Sequence, residues 1–75
     1  MRKYKSYWQL LDDDWQYPSL AMVKYDLKEH YDPADFRKNK GETVIMHVCG
    51  EITLSRVEVY TDDENHWHFS RPRKI

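Results

Sequence analysis

From Glu42 onward, apolar and polar positions alternate in twos. The runs TVIMHVC, ITLSRVEVY and HWHFS are rich in Val, Ile, Thr and aromatic residues, the composition of strands. Gly50-Glu51 suits a two-residue type II′ turn, which places glycine first, and residues 61–65 form a polar loop. With these turns Cys49 faces Ile52, Val48 faces Thr53 and Val44 faces Val57. Tyr60 then faces His66, Val59 faces Trp67 and Val57 faces Phe69. Val44, Met46, Val48, Val57, Val59, Trp67 and Phe69 thereby share one continuous apolar face, which a one-residue slip would destroy. The expectation is a three-stranded antiparallel meander.

The first half follows a different rhythm. Ser6-Tyr7-Trp8-Gln9 fits a capping box and predicts a short helix over 6–11, ended by the carboxylates Asp12, Asp13 and Asp14. Those three carboxylates diverge and form a solvated turn rather than a metal cluster. Residues 15–18 read as a linker. In SLAMVKYDLKEHY, Leu20, Val23, Leu27 and Tyr31 lie on one helical stripe, although Val23, Tyr25 and Leu27 also alternate as a strand would. Ala, Leu, Met, Lys and Glu decide for helix, with Ser19 able to cap it. Asp32-Pro33-Ala34-Asp35 opens another short helix, with Asp32 as N-cap and Pro33 first. Arg37, Lys38 and Lys40 fall in its last turn, Gly41 stops it, and Phe36 docks it.

The fold class expected is therefore α+β: two or three short N-terminal helices packed on the meander, in one domain spanning 1–75. If residues 20–31 were instead a strand, the result would be a small all-β barrel. A 75-residue chain buries only about 60% of its unfolded surface, so an enclosed cleft is hard to build and a flat binding surface is easier.

Composition adds three constraints. Charged residues make up 33% yet the net charge is −1, so no global field favours a polyanion. The single cysteine, Cys49, excludes an intrachain disulfide and suits a reducing compartment. No apolar run reaches signal-peptide or membrane-span length. A soluble cytoplasmic protein is expected and, with Met1 present, a complete small reading frame.

The candidate chemistry is sparse. His47 and Cys49 on the first strand and His66 and His68 on the third suggest a metal site, but the central strand would hold the two pairs roughly 10 Å apart. A zinc ion needs ligands at about 2.0–2.3 Å, so no metal and no cofactor are expected. His47 and Cys49 are about 6.7 Å apart along one strand face, too far for a thiolate–imidazole pair. No carboxylate pair, phosphate loop or nucleophile elbow is present, and no catalytic residue is assigned.

Two surfaces remain. The outer sheet face in this register carries Ile45, Leu54, Arg56, Tyr60, His66 and His68, an apolar centre with a polar, aromatic rim, as protein interfaces are built. The alternative is nucleic acid, held by cations and stacking rings in the tails: Arg2, Lys3, Lys5, Tyr7, Trp8, Arg71, Arg73 and Lys74. The 33–40 helix in a winged-helix-like arrangement is another way to bind it. The expected function is a non-catalytic binding module, a small accessory or inhibitory factor of the kind bacteria and their phages encode. Its partner is a protein or a second copy of itself, with nucleic-acid binding as the alternative and no membrane partner.

Overall fold

A computed structural model describes residues 5–11 and 13–75. The fold is α+β: one α-helix on a five-stranded antiparallel sheet. The elements are β1 (Ser6–Leu10), α1 (Leu20–His30), 3₁₀ turns at Pro33–Phe36 and Lys38–Lys40, β2 (Thr43–Cys49), β3 (Ile52–Thr61), β4 (Trp67–Phe69) and β5 (Arg73–Lys74). The sheet order is β1-β2-β3-β4, and β5 pairs β3 beside β4. Among the described residues, no helix is long and apolar enough to cross a membrane.

The helix over 20–30 forms as its stripe predicts. Ser19 is the N-cap, its Oγ accepting the Met22 amide at 3.3 Å. Val23 and Leu27 are fully buried, with Leu20 and Tyr31 packed beside them. The core joins these residues to Leu10 and Tyr17 and to Ile45, Val57 and Val59 of the sheet.

The expected helix over 6–11 is instead strand β1, paired with β2 from Ser6↔Cys49 to Leu10↔Ile45. The capping-box pattern is satisfied by sequence alone, but a helix of six residues is too short to hold itself together. The open edge of β2 offers a five-pair ladder, and Trp8 and Leu10, two apart, both turn to the core side. The supposed linker at 15–18 is also structural. Tyr17 is buried and exchanges two backbone hydrogen bonds of 2.8 Å with Trp8.

The expected helix over 33–40 is two 3₁₀ turns. Asp32 caps the first as predicted, its Oδ1 accepting the Ala34 amide at 3.0 Å, with Pro33 first. Arg37 then extends, with φ −60° and ψ 146°, and bridges to Thr61. Its guanidinium donates to Thr61 Oγ1 at 2.8 Å and Asn65 Oδ1 at 2.6 Å. Those bonds hold the segment against the end of β3 and cost it the continuous helical ladder. No recognition helix exists here. Phe36 does dock, packing on Trp67 with ring centroids 4.9 Å apart. Gly41 stops the second turn at φ +119°.

The most consequential difference is a bulge. Cys49↔Ile52 and Val48↔Thr53 pair as expected around Gly50, whose φ of +64° the tight turn requires. The next pair is His47↔Ser55, so Leu54 is an extra, unpaired residue in β3. Beyond it every partner in β2 is displaced by one, giving Ile45↔Val57 and Met46↔Arg56. Ile45, expected on the outer face, is therefore a core residue with 0% exposure. Val44, Met46 and Val48, expected in the core, alternate with it onto the other face. The β3–β4 pairing is offset by two, with Tyr60↔His68 and Thr61↔Trp67 around a 62–66 loop. An offset of two preserves faces, so Trp67 and Phe69 remain on the core side as predicted.

Candidate functional site: the uncovered face of the sheet

The single α-helix among the described residues packs on the Ile45/Val57 side. Among the described residues, no α-helix lies over the opposite face. By alternation it carries Tyr7, Gln9 and Leu11 from β1 and its extension, and Val44, Met46 and Val48 from β2. Arg56, Glu58 and Tyr60 follow from β3, and His68, Arg73 and Ile75 from the far edge.

The floor of this face is apolar and partly closed. Val44 and Val48 are buried, because β-branched side chains here stand between longer cross-strand neighbours: Tyr7 beside Val48 and Glu58 beside Val44. Leu11, Val44, Met46 and Ile75 surround a depression of about 220 Å³ with Glu42 and Arg56 at its rim. Leu11 donates its amide to the Val44 carbonyl at 3.0 Å, and Ile75 its amide to the Leu54 carbonyl at 3.3 Å. The two outer walls are thus tied to the sheet, yet Leu11 is 52% and Ile75 75% exposed.

The rim is a charge ladder. Arg56 lies 3.9 Å from Glu42 and 3.8 Å from Glu58, and Arg73 lies 4.0 Å from Glu58. Arg56 and Arg73 are direct cross-strand neighbours, and Glu58 between them relieves their repulsion. All four are exposed or half-exposed, so these pairs contribute little to stability.

Of the six residues expected to bind a partner, five reach this side or its edge. Arg56 is exposed at the rim of the depression, and Leu54 is exposed at the bulge, where its carbonyl accepts the Ile75 amide. Tyr60 is not a free anchor: its ring is sandwiched between the His68 ring at 4.8 Å and the Lys38 ammonium at 4.1 Å. His66 and His68 converge on Asp62 at the loop, where His68 Nε2 is 2.9 Å from Asp62 Oδ2. Ile45 is excluded by the bulge. The apolar centre is built instead from Leu11, Met46 and Ile75, which the sequence reading missed. Leu11 was concealed by the false helix, Met46 by the bulge, and Ile75 by a terminal strand with only two paired residues.

The Asp62 cluster shapes the loop. Its Oδ1 accepts the Glu64 amide at 2.9 Å and the His66 amide at 3.0 Å, and Asn65 takes the left-handed φ of +66° that asparagine tolerates. The hydrogen bond from His68, then the His66 amide, holds the Asp62 carboxyl well below the usual carboxylate range. A depressed folded pKa means that the unfolded chain takes up the proton first. Stability from this group is present above the ordinary aspartate value of about 3.9 and is lost as pH falls below it. Asp62→Asn is expected to flatten that part of the acid-unfolding curve, read by circular dichroism from pH 6 to 2 (~4 pH units of scan). An unchanged acid limb would contradict the bonding described.

The other sequence candidates separate. His47 stacks on Trp8 at 4.2 Å with planes 6° apart, and its Nε2 lies 3.0 Å from Ser6 Oγ. It faces the core side, whereas His68 faces the open side across β3. Among the described residues, no three of His, Cys, Asp and Glu are grouped to hold a metal ion. Of the basic, aromatic tail set, Arg2 and Lys3 lie outside the described residues. Trp8, expected to stack on bases, packs instead on His47 and the core. Lys5, Arg71, Arg73 and Lys74 are exposed and Tyr7 half-buried. Lys5 bonds Gly50 at the β2–β3 turn, and β5 pairs at Ser55 and Arg56, so these cations are spread across the width of the sheet.

No significant match to this chain is found among family models, curated proteins or solved structures.

Proposed function

We propose that the protein is a small non-catalytic binding module that docks another protein on the uncovered sheet face. The observation that carries this reading is the depression walled by exposed Leu11 and Ile75 over a Val44–Met46 floor, rimmed by Glu42 and Arg56. An apolar centre inside a charged rim is the anatomy of a specific interface, and the rim's alternating signs set orientation rather than attract a polyanion. Small size and the single cysteine support an accessory or inhibitory role in the cytoplasm.

The test is cross-linking in the native host followed by mass spectrometry, repeated with Leu11→Asp and Ile75→Asp. Both side chains are more than half exposed, so circular dichroism should be unchanged. Each variant is expected to weaken capture of the specific partner by at least ~30-fold, the equivalent of about 2 kcal/mol for an interface anchor. Reversal of Arg71 and Lys74 to Glu should change association only modestly, as exposed charges do. The nucleic-acid alternative makes the opposite forecast. Binding of a labelled oligonucleotide would fall steeply with salt and vanish with the charge reversals while surviving Ile75→Asp.

A further inference from the structure

On the other side of the molecule a second concavity has a chemistry of its own. The 13–18 connection runs from β1 to α1, and between them lies a groove of about 780 Å³. Three large apolar side chains stand exposed along it: Trp15 at 60%, Met22 at 51% and Tyr25 at 64%. One such residue on a surface needs no explanation, but three around one groove mark a contact site. Two of the three carry π-faces.

The charges along this groove have one sign. Asp13 and Asp26 line it, and no lysine or arginine does. The helix explains the asymmetry. Lys24 and Lys28, four apart, turn to the far flank and lie over Phe69 at 5.0 and 5.9 Å. Asp26, on the near flank, is held by the Tyr17 hydroxyl, which donates to its Oδ2. Its Oδ1 faces His30 at 3.7 Å, with that imidazole largely in solvent. Asp13 is fixed by the Trp15 backbone amide, donated to its Oδ1 at 3.1 Å, which holds the carboxylate on the turn that carries the indole. A smaller depression of about 360 Å³ shares this sign, lined by Asp13 and Asp35 with no lysine or arginine, but the exposed Trp15, Met22 and Tyr25 do not line it, and other grooves are mixed. The one at the second 3₁₀ turn sets Arg37, Lys38 and Lys40 against Asp62 and Asp63, and the open sheet face alternates its signs.

Aromatic faces beside carboxylates in an open groove favour a cation. A guanidinium fits best, because it is planar, stacks on indole and phenol rings, and forks to a carboxylate, whereas an ammonium is a strongly hydrated point charge. We propose that this groove binds an arginine side chain presented by an extended segment of a partner protein, with Trp15 and Tyr25 stacking on the guanidinium, Asp13 and Asp26 neutralising it, and Met22 taking a neighbouring apolar residue.

The experiment is a ¹H–¹⁵N titration of the full chain with the blocked peptide acetyl-Leu-Arg-Gly-Leu-amide, against the same peptide carrying citrulline, which keeps the shape and removes the charge. The expected result is saturable shifts at the Trp15 indole N–H and the Met22 and Tyr25 amides. Affinity should fall about tenfold with citrulline, and as much in Trp15→Ala or Tyr25→Ala, two exposed positions whose truncation leaves the core intact. Ile75→Asp on the opposite side should leave the titration unchanged, so failure here and failure of the sheet-face reading are separable. Equal shifts with citrulline, shifts confined to the sheet face, or no saturable shift at millimolar peptide would each overturn the proposal.

Discussion

Replacing Ile45 by alanine is expected to cost about 2–5 kcal/mol, the range for removing a large aliphatic side chain from a packed core. Ile45 is fully buried between Leu10 of β1 and Val57 of β3, beneath Val23 and Leu27 of the helix. A chain of this length has roughly 4–11 kcal/mol of total stability at ~0.05–0.15 kcal/mol per residue. The single change therefore removes a large part of it. Met46→Ala next door should cost clearly less, because Met46 is half-buried on the open face. Urea denaturation of the two variants side by side reads the register of β2 directly. Were Met46→Ala the more damaging, the Leu54 bulge would not exist and the faces would be the reverse of those described.

The second large effect is expected at Thr61. The residue is 2% exposed, and its hydroxyl donates to the Pro33 carbonyl at 2.5 Å and accepts from Arg37 Nη1 at 2.8 Å. Thr61→Val preserves the volume and removes only the hydroxyl, so no cavity forms. It leaves a part-buried carbonyl without its best donor and weakens one end of the Arg37 fork, at about 1–3 kcal/mol. Because these bonds hold the 33–40 segment to β3, amide exchange in that segment should quicken more than in α1 or β2. A neutral substitution with uniform exchange would show that Phe36 packing alone fixes the segment.

Much of the candidate surface depends on how these two devices rearrange a readable sequence. Strands β2, β3 and β4 were legible as strands because their β-branched and aromatic residue types agree, and because Gly50 fixes a two-residue turn. Helix α1 was legible from the Ser19 cap and the Val23–Leu27 stripe. Asp32-Pro33 announced a helical start correctly. Each of these signals acts within about a dozen residues, where local sterics and hydrogen bonding decide.

Other features were decided by partners distant in sequence. Ser6-Tyr7-Trp8-Gln9 carries both a capping box and a strand alternation, and the free edge of β2, some forty residues away in the chain, selects the strand. The Arg37 guanidinium finds Thr61 and Asn65, 24 and 28 positions on, and breaks a helix that its own neighbours would permit. Leu54 bulges where either register leaves an apolar face. Val44-Ile45-Met46 is apolar at every position, so alternation there has no preferred phase, and packing of Ile45 under α1 chooses it. That choice also delivers Met46 to the open face beside Leu11 and Ile75. The sequence by itself determined the elements whose signals are local and unopposed. The tertiary structure alone decided the phase of β2, the identity of its exposed apolar side chains and the aromatic groove beside α1, because each depends on burial against residues brought near only by folding.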